Sequence, residues 1–465
     1  MLRMHSLFRH RSSKVRRVFI PAAVFAALLL LGLAAGRAWA EERGLTDATP
    51  LNLSATPSLN EYVAYAVEAN PDARAALERW RAAAHMVSVA GSLPDPTVSY
   101  GYTTDEDGSG PAKRTFGVMQ MLPWFGKLTL AEGVARIEAD VALERYRGSR
   151  ILVARDVAVA YWEYAYVERA TGITRAQVDL LRELEAVVRA GYSAGGASYG
   201  DLLMAEIELA RMTNELETME LMRDSASARL ASAVGLRTDV VLPWPTESPD
   251  FGQVESFESA WARLEVGNPE LRALALEVDA ARRSVDLARR EYFPDVSLGW
   301  EYMVMDESGM APAAGEGNTR SLMASLSVPL WLGKHRAQVR AATADRLERE
   351  RMLEARKNML ASDLKMVLFG LGDAVRRIGL YEEKLLPMAD QSEKTAEAAY
   401  RAGTVDFDAL ITASETLLDF RMSHARAIAD RAEKEAELGA LVGDDALATT
   451  DRPDEPAAPP MENQP

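Results

Sequence analysis

The chain says nearly the same thing twice, about 200 residues apart. Asn70-Pro71 recurs as Asn268-Pro269, and at the same offset Pro96, Val98, Ser99 and Gly101 fall on Pro294, Val296, Ser297 and Gly299. Pro123-Trp124-Phe125-Gly126-Lys127 is answered by Trp331-Leu332-Gly333-Lys334, which follows Pro329. Tyr192, Gly195, Tyr199 and Leu202 line up with Tyr400, Gly403, Phe407 and Leu410. Four anchors in one order at nearly constant spacing mark a duplicated structural unit. Such a chain folds as a pseudo-symmetric protomer.

Each repeat sets alternating strands beside very long helices. Thr97 to Thr103 places Val98, Tyr100 and Tyr102 on one face, with small or polar residues on the other. A second run puts Phe116, Val118 and Leu122 opposite Thr115, Gly117, Met119 and Met121. In the second repeat Val296, Leu298, Trp300, Tyr302 and Val304 oppose Ser297, Gly299, Glu301, Met303 and Met305, and Leu322, Ala324, Leu326 and Val328 oppose Ser321, Met323, Ser325 and Ser327. These are two hairpins, 97–122 and 295–328, each with one apolar face. Between Pro123 and Pro243 there is no proline, so Leu128 to Ala190 reads as one helix of roughly 95 Å. Few globular domains could contain it. The counterpart runs from His335 to Arg401, with a kink or local unwinding expected at Pro387. Leu59 to Ser92 is helical, with Pro71 opening a fresh first turn.

The ends are of another kind. Arg3, Arg9, Arg11, Lys14, Arg16 and Arg17 precede an apolar run from Val18 to Leu33 and then Ala38-Trp39-Ala40, the pattern of a secretory signal peptide cleaved after Ala40. Removing 1–40, with its seven Lys and Arg (Arg37 included), leaves 46 bases against 69 acids, a net charge near −23. That surface repels phosphate backbones, which sets nucleic acid aside as a partner. With no cysteine in the chain, disulfides, thiolate chemistry and a lipidated N-terminal cysteine are excluded. Beyond the signal no apolar run is long enough to cross a bilayer as a helix, so any crossing falls to strands. The segmentation is 1–40 signal peptide, 41–56 extension, 57–235 first repeat, 236–255 linker, 256–443 second repeat and 444–465 a disordered acidic, Pro-rich tail.

Four strands with one apolar face match the wall of a transmembrane β-barrel, but one chain supplies too few to close it. Closure therefore requires several chains, and two, three or four would give 8, 12 or 16 strands. The helices follow directly from the Pro-Trp-Phe-Gly-Lys and Trp-Leu-Gly-Lys corners and so extend the barrel into a tube.

This combination of signal, duplicated helix-hairpin-helix-helix unit, Gly-Lys corners and Tyr-x-Ala-Gly turns resembles the TolC family of outer-membrane efflux channels, over nearly all of residues 57 to 443. The resemblance implies a mainly α fold with a membrane β part: a homotrimer in outer-membrane lipid, a 12-stranded barrel and a helical tunnel in the periplasm. It also implies docking onto a periplasmic adaptor and an inner-membrane pump, of the RND type first. No cofactor and no enzymatic activity are implied. Pro-Trp-Phe-Gly-Lys is similar to corners of the heavy-metal-efflux members.

Each candidate site residue has two readings. The resemblance puts the turns around Gly195, Tyr199, Gly403 and Phe407 at the adaptor-contacting tips; equally, their glycines serve a tight turn. Asp201, Asp406 and Asp408 are candidates for an acidic constriction, or for helix capping. The family's gate acids lie a little later, where this chain has Ala409 and Thr412. Met119, Met121, Met303, Met305 and Met323 face the lumen, as soft ligands for copper or silver or as flexible filler. Tyr100, Tyr102, Trp300 and Tyr302 form an interfacial belt or simply express strand propensity. Lys127 and Lys334 open helices at the electrostatically wrong end for a cation, which suggests headgroup contact or solvation. His85, His335 and His424 lie on separate helices, and no catalytic motif accompanies them. An envelope coiled-coil rod is the competing function, and lipid-facing hairpins argue against it.

Overall fold

A computed structural model of the chain describes residues 54, 56–103, 113–245, 247–249, 251–305 and 318–444. The signal peptide, most of the extension, the two hairpin loops and the tail expected from sequence lie outside the described residues.

The first repeat comprises α1 (Leu59–Ala69), α2 (Pro71–Gly91), β1 (Thr97–Thr103), β2 (Lys113–Leu122), α3 (Lys127–Ser193) and α4 (Tyr199–Val234). The second comprises α5 (Phe257–Gly267), α6 (Pro269–Arg290), β3 (Asp295–Met305), β4 (Thr319–Ser327), α7 (Leu332–Leu380), α8 (Leu386–Arg401) and α9 (Phe407–Val442). A π-helical turn, Tyr381–Leu385, joins α7 to α8.

The Asn-Pro anchors have a physical reason. Asn70 ends α1 and caps α2, its Oδ1 accepting from the Asp72 amide at 2.8 Å while its own amide donates to the Ala233 carbonyl at the end of α4, 2.9 Å. Asn268 repeats this, with Leu271 as donor at 3.0 Å and the Leu441 carbonyl of α9 as acceptor at 2.9 Å. Each asparagine thus ties a helix start to the end of the returning helix. Proline follows at the first helical position, where no amide is needed. What reads as one helix from Leu59 to Ser92 is two, meeting at that cap.

Helix α3 has 67 residues, about 100 Å. Its counterpart is interrupted. One residue more lies between Lys334 and Tyr400 than between Lys127 and Tyr192, and the π turn is where a helix can hold one extra residue without losing register on either side. Pro387, lacking an amide, follows immediately as the expected unwinding site. The turn directs Glu382 to His424 of α9 at 3.0 Å and the Tyr381 ring to Phe420 at 5.9 Å.

The four strands form one antiparallel sheet in the order β1-β2-β3-β4. Its register aligns Val98, Val118, Trp300 and Leu322 in one row, and Tyr100, Phe116, Tyr302 and Arg320 in the next. On the opposite face Thr97, Met119, Gly299 and Met323 share a row, as do Ser99, Gly117, Glu301 and Ser321. Among the described residues no helix covers either face, and β1 and β4 end as open edges. Apolar cores instead lie among the helices. One is built around Tyr62, Tyr161, Tyr164 and Leu230, its counterpart around Leu264, Leu360 and Leu364, and a third at the α3–α4 and α8–α9 turns.

The corner between β2 and α3 corrects the reading of Lys127. Its ammonium, neither solvated nor free for a headgroup, is buried and bonded to both Asp295 oxygens at 2.9 and 3.1 Å, with Glu291 at 3.5 Å. Asp295 also accepts the Trp124 amide at 2.8 Å, and the Trp124 ring stacks on Phe293 at 5.8 Å. The charge offsets the unfavourable helix end by pairing across the two repeats. Lys334, its equivalent, is exposed. Lys127→Ala, which strands a partly buried carboxylate, should cost about 3 kcal/mol, against under about 0.5 kcal/mol for Lys334→Ala. Thermal unfolding followed by circular dichroism in detergent measures the difference.

Candidate functional site

At the end of the bundle far from the sheet, two helical turns repeat each other. Gly195 (φ 83°) and Gly403 (φ 72°) both take the left-handed conformation, with their amides bonded to Tyr192 and Tyr400 carbonyls at 3.0 and 2.9 Å. Positive φ explains both glycines locally. Tyr192 pairs with Tyr199 at 5.8 Å, as Tyr400 does with Phe407 at 5.4 Å. Here the equivalence ends. Tyr199 is 64% exposed, whereas Phe407 is 0% exposed and belongs to the core with Val188, Leu202, Leu410 and Ile411. Phe407 therefore holds the tip together from within and does not present its ring to a partner, as the sequence reading had it.

The three tip aspartates differ in role. Ser198, not Asp201, is the N-cap of α4; Asp201 closes the capping box by accepting the Ser198 amide at 3.1 Å. Asp406 occupies the N-cap position of α9 but makes no side-chain cap bond, and both it and Asp408 are exposed. Asp201 also acts on the second turn, where burial first and then this nearby carboxylate raise the Tyr400 hydroxyl pKa. Helices of the two repeats are bound near this end by the buried Gln177–Ser414 hydrogen bond at 2.8 Å and by Arg211, which reaches Glu415 at 2.6 Å. A groove of about 480 Å³ between α3 and α4 is lined by Glu185, Arg189, Glu206, Leu209, Thr213 and Asn214, charged at its edges and apolar between them.

Nearer the middle of the helices lies a charge hub that the sequence did not advertise. Arg426 of α9 donates to Glu163 of α3 at 2.5 Å, to Asp430 at 2.6 Å and to Glu433 at 2.6 Å, with the Tyr166 ring 4.8 Å away. Arg377 of α7 reaches Asp430 at 2.7 Å. Against the effect of its burial, hydrogen bonds from Arg377 and Arg426 hold Asp430 below the usual carboxylate range. Burial raises Glu433 from its ordinary 4.5 to about 7, a rise that Arg426 only partly offsets. An unfolded chain releases that proton near 4.5 and the folded one near 7, so the stabilisation is complete below pH 4.5 and is lost as pH rises through about 7. Melting temperature should accordingly fall across that window, and Glu433→Gln should flatten the slope; Asp430 titrates below it and does not confuse the test.

The sheet is the other candidate site. Its apolar face exposes Val98, Leu298 and Leu322, with Trp300 stacked on Tyr302 at 6.0 Å and Tyr100 tilted against Phe116 at 5.2 Å. These aromatics gather toward the hairpin loops. Sequence reasoning missed a second aromatic group at the helix corners, where Phe125 is 86% and Trp331 79% exposed. From Asp295 to Tyr302 the strand rises about 23 Å, close to the apolar band of about 25 Å in outer-membrane barrels. On the opposite face the five methionines divide. Met119 and Met323 flank Gly299 in one row, with Met121 two positions along β2, while Met303 and Met305 lie nearer the loops. Glu301 separates the groups and went unremarked in the sequence because alternation assigns its face but not its neighbours. Among the described residues no cluster of His, Cys, Asp and Glu has metal-binding geometry.

A duplicated bundle of long helices that carries an uncovered sheet, apolar on one face and small or polar on the other, defines a channel-type protomer. The chain belongs to the outer membrane efflux protein family, whose model matches residues 63–236 and 262–444, once over each repeat. It is 24% identical over 257 residues to nodulation protein T of Rhizobium leguminosarum bv. viciae, covering 52% of each chain. It is also 24% identical over 258 residues to the toluene efflux pump outer membrane protein TtgF of Pseudomonas putida, covering 52% of this chain and 53% of that one. The chain thus spans about half the length of these curated relatives. The solved outer-membrane channel OprN shares the fold, with a TM-score of 0.72 at 19% identity over 83% of this chain and 89% of that one.

Proposed function

We propose that this chain is the outer-membrane exit duct of a tripartite efflux system, a passive and non-enzymatic conduit. Three copies contribute four strands each to a 12-stranded barrel, and the helices continue the pore into the periplasm of a Gram-negative cell. There the tips at Gly195, Tyr199 and Gly403, with the α3–α4 groove beside them, meet a periplasmic adaptor that links the duct to an inner-membrane pump, RND-type first. Asp201, Asp406 and Asp408 line the constriction at that end.

The observation that carries this reading is the sheet itself. Among the described residues its apolar face has no protein cover and its two edges have no strand partner, which hydrocarbon tolerates only when the sheet closes on itself. The paired aromatic groups, at Tyr100, Tyr102, Trp300 and Tyr302 and at the corners, sit where two headgroup layers would fall. A coiled-coil rod has no use for such a face. The chain should stay with membranes through a carbonate wash and be released by detergent; recovery in the wash supernatant would sink the proposal. In planar bilayers the purified protein should conduct with a cation preference, since three Glu301 carboxylates would ring the lumen, and Glu301→Gln should move the reversal potential in a KCl gradient toward zero.

A second reading of the substrate rests on Met119 and Met323 flanking Gly299 on the lumen face, with Met121 adjacent. Thioethers suit Cu(I) and Ag(I), so soft metal cations are one cargo the wall could pass along. Replacing these three methionines by leucine should then raise silver sensitivity of an expressing strain and leave its tolerance of organic solvents unchanged. Equal tolerance of silver before and after would assign the methionines to packing.

A further inference from the structure

The apolar face of the sheet is uncharged along its described length except at one end. Starting from the helix corners, its rows run Leu122, Val296 and Leu326, then Gln120, Leu298 and Ala324, then Val98, Val118, Trp300 and Leu322. Charge enters only in the two rows nearest the hairpin loops. Arg320 follows Phe116 and Tyr302 in one, and Arg114 stands between Tyr102 and Val304 in the other. The chain as a whole is acidic, with 69 Asp and Glu against 53 Lys and Arg, yet the two acids of the described strands, Asp295 and Glu301, both belong to the opposite face. The third cation at the loop end, Lys113, also lies on that opposite face, beside Thr103 and Met305.

An arginine on the outside of a barrel costs about 2–4 kcal/mol at the bilayer midplane and about 0–1 kcal/mol near an interface. Both arginines stand where that cost is least, among the aromatics that favour the headgroup level. Arg320 is exposed, its guanidinium 6.0 Å from the centre of the Tyr302 ring, and among the described residues no carboxylate pairs with it. The register sets the Arg114 and Arg320 Cα atoms two strands and two residues apart, about 12 Å. Tyr302 lies on the strand between them. A guanidinium grips phosphoryl oxygens with two parallel N–H bonds, and two at this spacing suit a headgroup that carries two phosphoryl groups better than one that carries a single phosphate. Tyrosine hydroxyls beside them can bond sugar hydroxyls. The helices leave from the other ends of the strands, so this end belongs to the outer leaflet.

We infer that Arg114 and Arg320, with Tyr302 between them and Tyr102 beside Arg114, form a site on the outside of the barrel for the phosphorylated glycolipid headgroup of the outer leaflet. This rests on the outer-membrane barrel proposed above and adds a bound lipid to it. One chain supplies the whole site, so each protomer holds one headgroup at the same height on the wall. Lys113, on the lumen side of the same strand, takes no part.

The test uses the full chain purified from membranes in detergent, stripped of lipid, and titrated with bisphosphorylated lipid A, monophosphorylated lipid A or phosphatidylglycerol. Native mass spectrometry counts the lipid retained. Bisphosphorylated lipid A should be held roughly tenfold more tightly than either of the others, since each lost guanidinium–phosphate contact is worth about that factor. This comparison needs no variant and so does not depend on one folding. Arg114→Gln with Arg320→Gln should remove the preference, Arg114→Lys with Arg320→Lys should keep part of it, and Lys113→Gln should leave it unchanged. Equal retention of the three lipids, or a preference that survives the double glutamine substitution, would overturn the site while leaving the barrel standing. A chain that retains no lipid and is also released from membranes by carbonate would overturn both.

Discussion

Hydrocarbon offers no hydrogen bonds, and a four-stranded sheet has two edges that need them. That constraint organises everything else in this molecule. The sheet is too narrow to close alone, so the backbone groups of β1 and β4 can be satisfied in lipid only by strands from other chains. Because each strand runs straight into a helix, the proposed assembly would impose the ring of strands on the helices as well, giving a tube. Inside the protomer the same logic has already been met once, between the repeats, where β2 pairs with β3 and Lys127 and Asp295 lock the corner.

Much of this architecture was legible because it rests on local rules. Alternation gave the faces of all four strands, and Pro71 marked the fresh helical turn where α2 starts. The tip glycines announced positive φ. What escaped notice depends on partners far away in sequence. Lys127 looked misplaced at a helix start until Asp295, 168 residues on, came into contact with it. Phe407 and Tyr199 are equivalent in sequence, and only tertiary packing makes one a core residue and the other a surface one. The Arg426 hub joins α3, α7 and α9, and no periodicity within a single helix reveals it. Pro387 did signal unwinding, but the reason for a π turn appears only when the lengths of the two repeats are compared.

The candidate site divides in the same way. Methionine and glutamate could be assigned to the lumen face from alternation alone, yet their grouping into rows required the register between strands. The aspartates of the tip were visible as acids near helix starts. Which of them is used up in capping was not, since a capping box and an unengaged N-cap carboxylate share one sequence pattern.

The single extra residue stored between Tyr381 and Leu385 has a consequence for whatever grips the tube from outside. In the assembly proposed above, a ring of three such chains would be sixfold only in outline. Going round it, a smooth rod alternates with a notched one, so six identical gripping arms would find two kinds of footing in turn. Any partner that engages the whole circumference must either come in threes or bring two different hands.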